Sequence, residues 1–175
     1  PQTYEQHLYG AVAAISCVGA FGSKEHMLKI NGDANVIAVK TCKAAGVPRF
    51  AFVSAMIPQI PGIENIIGGY IYGKQQAEEA VRQSYPDDGI VLRPSVVYGD
   101  RKVSHLLTLP LGAVFGPLEM ALAAAPKTVR ELPVIGGLLV PPLSAEVLAR
   151  AAVAAASNPR HPPGVMSVED IQAFK

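Results

Sequence analysis

Gly46-Val47-Pro48-Arg49-Phe50-Ala51-Phe52-Val53-Ser54 is the stretch on which the fold turns. Gly46 stands where a helix would stop, Val47-Pro48 breaks the chain, and the run that follows is apolar without clear alternation. That is the pattern of a strand covered on both faces. Working back, Met27, Ile30, Ala34, Ile37, Thr41 and Ala44 recur at spacings of three and four, which predicts a helix from Lys24 to Ala45. Before it, Tyr9 to Gly22 reads as a short buried strand, near Ala13-Cys17, ending in a Gly-rich turn. Working forward, Tyr70 to Ser84 predicts a second helix, stopped around Tyr85-Pro86-Asp87-Asp88-Gly89, and Ile90-Val91-Leu92-Arg93 a third strand ended by Pro94. Apolar strands separated by helices imply an α/β class with a parallel sheet, the three strands adjacent and in chain order.

Tyr70 and Lys74 stand four apart, so on a helix they share a face one turn apart. A phenol near pKa ~10 is a poor proton donor or acceptor at neutral pH, and a desolvated ammonium beside it would favour the phenolate. The pair can then supply the acid/base half of a carbonyl reduction or alcohol oxidation. Tyr72, only two residues from Lys74, faces another way and reads as a packed or interfacial tyrosine.

Four segments in order carry a family resemblance: Asn31-Gly32-Asp33-Ala34-Asn35, Gly46 to Ser54, Tyr70 to Lys74, and Leu92-Arg93-Pro94-Ser95-Val96-Val97-Tyr98-Gly99. From about Tyr9 to Pro159 the chain resembles the extended and atypical short-chain dehydrogenase/reductases, NAD(P)-binding proteins with a Rossmann fold. Ile15 to Ser23, Leu109-Pro110-Leu111-Gly112 and Leu139-Val140-Pro141-Pro142-Leu143 look most like the organellar plant and algal branch. That branch is similar to a fungal dehydrogenase-like protein associated with coenzyme Q biosynthesis, and a cousin is an NADPH-binding accessory subunit of respiratory complex I. The resemblance implies that Tyr70 is the catalytic acid/base, that Lys74 holds the nicotinamide ribose, and that Ser54 hydrogen-bonds the substrate oxygen. It also implies that Gly19, Ala20 and Phe21 lie against an NAD or NADP cofactor, with Pro94, Ser95 and Val97 beside the nicotinamide. In open α/β sheets ligands bind outside the carboxyl ends of the strands, where these loops fall.

The resemblance further implies a first strand and a glycine-rich phosphate-binding turn, neither of which is in this chain. Roughly 70 or more residues, about two βαβ repeats, are then expected ahead of Pro1, leaving the first strand here with an exposed edge. The expected division is 1–100, a partial Rossmann domain lacking its first βαβ units, and 101–175, a small apolar C-terminal substrate or interaction lobe.

Composition narrows the partners. Fifteen basic against fourteen acidic residues give a net charge of +1 with no basic stripe, which argues against nucleic acid. Cys17 and Cys42 lack metal or redox spacing and read as buried free thiols. His7, His26, His105 and His161 are scattered, so no metal site is expected.

Half of the residues are hydrophobic against 17% charged, and much of the apolar content follows Gly99. Leu106 to Ala125 is interrupted by Pro110, Pro117 and Glu119, so a spanning helix is not expected, and Leu132 to Leu143 is too short. Ser144, with Glu146 in the first turn, is the expected N-cap of an Ala-rich helix reaching about Ser157. Met56, Ile57, Ile60, Ile63, Ile66 and Ile67 crowd the segment that would line a substrate pocket. They suit a lipophilic molecule such as a quinone, or simple core packing.

Two functions follow from the resemblance. One is an NAD(P)-dependent oxidoreductase linked to quinone or lipid metabolism. The other is a non-catalytic accessory subunit of a membrane complex that retains the fold. Peripheral membrane or multi-subunit association fits either, at the matrix side of the mitochondrial inner membrane or in the chloroplast.

Overall fold

The computed structural model describes residues 5–58, 61–104, 107–110 and 140–175. Strand β1 (Ala14–Ser16) leads through a loop into α1 (Lys24–Leu28), which runs through a π-helical turn, Lys29–Asp33, into α2 (Ala34–Ala44). Then come β2 (Phe50–Val53), α3 (Ile63–Ser84), β3 (Gly89–Leu92) and the short β4 (Val97–Tyr98). The chain continues through the hairpin β5 (Asp100–Ser104) and β6 (Leu107–Pro110), then β7 (Leu143–Ser144), α4 (Ala145–Ser157), β8 (Gly164–Met166) and α5 (Val168–Gln172).

The main sheet has the order β1-β2-β3-β8 with every pairing parallel, so the three expected strands are adjacent and in chain order. Side chains alternate across β2, which splits its apolar run between two cores. Phe50 and Phe52 pack with Val39, Cys42, Ala77, Val81 and Tyr85 under α2 and α3. Ala51 packs with Ile90, Leu92, Ala151, Ala155 and Met166 under α4. The result is helices on both faces of a parallel sheet, the reason its strands carry no polar side.

Several expectations change in detail. The first helix is broken by the π turn, whose widened ring admits one extra residue and turns both Asn31 and Asn35 inward, each fully buried. The second helix starts seven residues before Tyr70, at Ile63, after Gly62 in a left-handed conformation (φ 81°), and kinks at Ile67. Strand β8 lies beyond residue 101 yet completes the main sheet beside β3, and α4 covers that sheet. Among the described residues the chain after residue 100 therefore returns to the main sheet, and the division at 100/101 does not separate two cores. Residues 105–106 and 111–139, part of the expected lobe and including His105, lie outside the described residues. Cys42 is buried, but Cys17 is exposed because β1 ends at Ser16 and the thiol stands past the paired residues. Ser144 caps α4 as expected, its hydroxyl accepting from Val147 N at 3.2 Å. Within the described sheet β1 pairs only with β2, and Ile15 on it is 41% exposed.

Glycines set how closely α3 approaches the first helix. A Cβ at Gly69 would lie 2.2 Å from the Lys24 carbonyl oxygen, and one at Gly73 would lie 2.8 Å from the Gly32 nitrogen. No side chain fits at either position. Backbone therefore meets backbone immediately before Tyr70 and again immediately before Lys74, which sets those two side chains at the carboxyl ends of β1 and β2.

Candidate active site

The loop after β1 is held by two buried amides. Asn31 accepts from Ala20 N at 3.2 Å through Oδ1, and its Nδ2 donates to Ala20 O at 2.8 Å and Met27 O at 2.7 Å. Asn35 donates to Val18 O at 3.2 Å, to Ile30 O and to Asn31 O, while its Oδ1 accepts from Ser16 Oγ at 2.6 Å. Buried polar groups are costly unless bonded, and these are bonded at every polar atom. Neither asparagine was assigned a role from sequence. Two Asn four apart inside a helix, where the residue has poor propensity, were the available signal.

Lys74 is 5% exposed and bridges two strand ends, donating to Val18 O at 3.2 Å and Val53 O at 2.9 Å. Its Nζ also stands over the Phe52 ring, 4.7 Å from the centroid. Desolvation by burial pulls its pKa down to about 8, against the opposing pull of Cys17 and Glu78. Gly19 is fitted tightly here, since a Cβ on it would stand 3.0 Å from Asn31 Oδ1 and 3.3 Å from Lys74 Nζ.

Tyr70 lies on the same face, with Lys74 Nζ 5.7 Å from its ring centroid. Its face is stacked on Phe21, centroids 4.8 Å apart and planes 8° from parallel. Burial pushes the phenol above its usual range, contrary to the expected lowering. The physical reason is burial, which disfavours the charged phenolate. The phenol therefore keeps its proton at neutral pH. Tyr72 is 44% exposed and donates to Glu64 at 3.4 Å.

Ser54 follows β2, is 4% exposed, and donates to Glu78 Oε1 at 2.5 Å. Glu78 is in turn held by Arg93, through Nε to Oε1 at 3.1 Å and Nη2 to Oε2 at 2.5 Å. The Pro94 segment is tied down by Ser95 Oγ, which donates to Pro141 O at 2.5 Å.

Tyr70, Lys74 and Ser54 line one cleft of about 550 Å³ at the carboxyl ends of β1, β2 and β3. Gly19, Ala20 and Phe21 form one wall of it, and Pro94, Ser95 and Val97 another. Met56, Ile57, Pro58, Ile63 and Ile67 supply an apolar side. Of the other isoleucines expected there, Ile66 is 78% exposed and Ile60 lies outside the described residues. Among the described residues no group of three or more His, Cys, Asp or Glu could hold a metal ion, and no helix is long and apolar enough to cross a membrane.

No protein-family model matches the chain. An uncharacterized chloroplastic protein of Arabidopsis thaliana is 36% identical over 172 residues, 97% of this chain. The chain spans 57% of that relative's length. Among solved structures, UDP-N-acetylglucosamine 4-epimerase from Methanobrevibacter ruminantium, in complex with UDP-N-acetylmuramic acid, superposes with a TM-score of 0.61 at 15% identity, over 95% of this chain and 57% of that one. A short-chain dehydrogenase/reductase superfamily protein from Agrobacterium tumefaciens with bound NAD gives 0.59 at 16% identity, over 95% and 62%. At such identities the likeness establishes the fold, a Rossmann-like α/β sheet.

Proposed function

We propose that the chain carries the nicotinamide-side and substrate-side half of an NAD(P)-dependent oxidoreductase of the short-chain dehydrogenase type. The observation that carries this reading is the meeting of Ser54, Tyr70 and Lys74 in one cleft at the carboxyl ends of parallel strands. The residues fit a nicotinamide ribose. Lys74 uses two of its three ammonium donors on Val18 and Val53, which leaves one for a ribose hydroxyl. Gly19 keeps the adjoining wall bare. When bound, the cofactor supplies or accepts hydride. Tyr70 gives a proton to the developing alkoxide, its raised pKa keeping it loaded at neutral pH, and Ser54 hydrogen-bonds the substrate oxygen in its hydroxyl form.

The apolar side of the cleft supports a lipophilic substrate such as a prenylated quinone, in keeping with the resemblance to the coenzyme Q-associated branch. The chloroplastic relative supports a plastid over a mitochondrion. A second reading, an accessory subunit without turnover, is favoured by one observation: Phe21, itself 70% exposed, lies flat on the Tyr70 ring.

Incubation of the native protein with NADPH or NADH and a short-tailed plastoquinone or ubiquinone separates the two. The oxidoreductase reading expects nucleotide oxidation that Tyr70→Phe abolishes. Nucleotide binding by calorimetry without any turnover would favour the accessory reading, and neither binding nor turnover would overturn both.

A further inference from the structure

Ser54 stands at the wall between the cleft and a second cavity of about 250 Å³, which is lined by Ser54, Lys74, Glu78 and Arg93 among others. Glu78 and Arg93 line this rear cavity and not the cleft itself. They reach Ser54 from behind. Glu78 is one helical turn beyond Lys74, as Lys74 is one turn beyond Tyr70, so the three form a single ridge of α3. The Glu78 side chain is 15% exposed, and Arg93 contacts both of its oxygens.

A serine hydroxyl has one proton and two lone pairs, whereas an ionised carboxylate accepts only. In the 2.5 Å contact the proton must therefore lie on the line from Ser54 Oγ to Glu78 Oε1. What remains for the cleft is a lone pair. Resting on the oxidoreductase reading above, we propose that Glu78, clamped by Arg93, is a positioning residue that fixes Ser54 as a hydrogen-bond acceptor towards the cleft. The site then binds the hydroxyl-bearing member of a carbonyl/alcohol pair more tightly than the carbonyl. A substrate hydroxyl donates to Ser54, while a carbonyl oxygen in the same place meets lone pair against lone pair. It can be held only by the Tyr70 phenol, or after Ser54 leaves Glu78. One hydrogen bond gained or lost corresponds to about a three- to tenfold difference in affinity.

Two measurements on the native protein test this. A neutron structure of deuterated crystals locates the Ser54 hydroxyl deuteron without needing cofactor or turnover. It is expected between Ser54 and Glu78, and a deuteron aimed into the cleft overturns the proposal. The second compares binding of cyclohexanol and cyclohexanone by ligand-observed NMR in wild type, Glu78→Ala and Ser54→Ala. In wild type the alcohol is expected to bind about three- to tenfold more tightly. Glu78→Ala removes the acceptor and frees the serine proton to turn into the cleft, so the preference shifts towards the ketone. Ser54→Ala removes the preference and leaves the ion pair intact. An alcohol preference unchanged in both variants overturns the proposal. Failure of the oxidoreductase reading is seen separately, as absent turnover with the deuteron still between Ser54 and Glu78. If neither probe binds, the apolar cleft reading fails and the deuteron alone decides the polarity of Ser54.

Discussion

Arg49 and Lys74 are both cations with 5% of their surface exposed, held at opposite ends of the same strand. Arg49 precedes β2 and meets the Asp88 carboxylate at 2.9 Å, together with the carbonyls of Ala155, Pro159 and His161. Only its buried Nε lacks a partner among the described residues. Lys74 reaches the other end and finds two carbonyls but, among the described residues, no carboxylate within ion-pair distance. One cation ties α4 and the turn after it to the sheet. The other keeps a donor in reserve and holds its charge poorly, with a pKa near 8. The difference teaches where stability ends and chemistry begins. A buried charge given its counter-ion staples the fold, and one given only dipoles remains able to bind and titrate.

The sharpest division between the two ends is expected from Tyr70→Phe and Arg49→Met. Tyr70→Phe should lower any turnover by about 10²–10⁴-fold with an unchanged denaturation midpoint, since only a proton donor is lost. A midpoint shift as large as the activity loss would break the comparison. Arg49→Met should do the reverse, costing about 3 kcal/mol of stability because charge-assisted bonds to three carbonyls and a carboxylate vanish. Urea melts read this, and nucleotide binding by the folded fraction should not change.

Lys74 should appear in the pH dependence of stability. Its folded pKa lies below the ordinary value of 10.5, so between pH 8 and 10.5 the unfolded chain holds more protons than the folded one. Stability contributed through this group therefore rises with pH across that window and is lost as pH falls through about 8. The full difference is about 3 kcal/mol. Subtracting the Lys74→Met profile from that of wild type isolates it, and a flat difference would show that the ammonium is solvated.

A smaller effect is expected at the amides behind the site. Ser16→Ala leaves Asn35 Oδ1 without its partner and should cost about 1–3 kcal/mol, read by thermal melts. At the far end of the scale, Glu79→Ala removes an ion pair whose partner, Arg82, is 73% exposed, and no measurable change in melting midpoint is expected. A marked loss there would show that exposed charge contributes more than the buried contrast allows.

The sheet was legible because its strands are short apolar runs separated by helical periodicity, and those two patterns survive any detail of packing. Strand β8 was not, since Gly164–Met166 is three residues between Pro163 and Ser167, too short for a period, and exists as a strand by pairing with β3. The π turn was invisible because the spacing of Met27, Ile30 and Ala34 continues through it unbroken. Tyr70 and Lys74 could be put on one face from spacing alone, as the helix repeat demands. The direction of the ammonium could not. A lysine stem is long enough to reach any of several acceptors, and only the assembled sheet brought the Val18 and Val53 carbonyls within 3.2 and 2.9 Å of it. Burial in the assembled fold likewise raised the Tyr70 pKa where spacing suggested a lowering. Glu78, four residues beyond Lys74, carried the same helical signal but no visible partner, because Ser54 and Arg93 lie 24 and 15 residues away in sequence. Local order came from the sequence by itself, since helix and strand periods are short-range. The polarity of the site came from the tertiary structure, because a hydrogen bond has a direction only when both of its ends are in place.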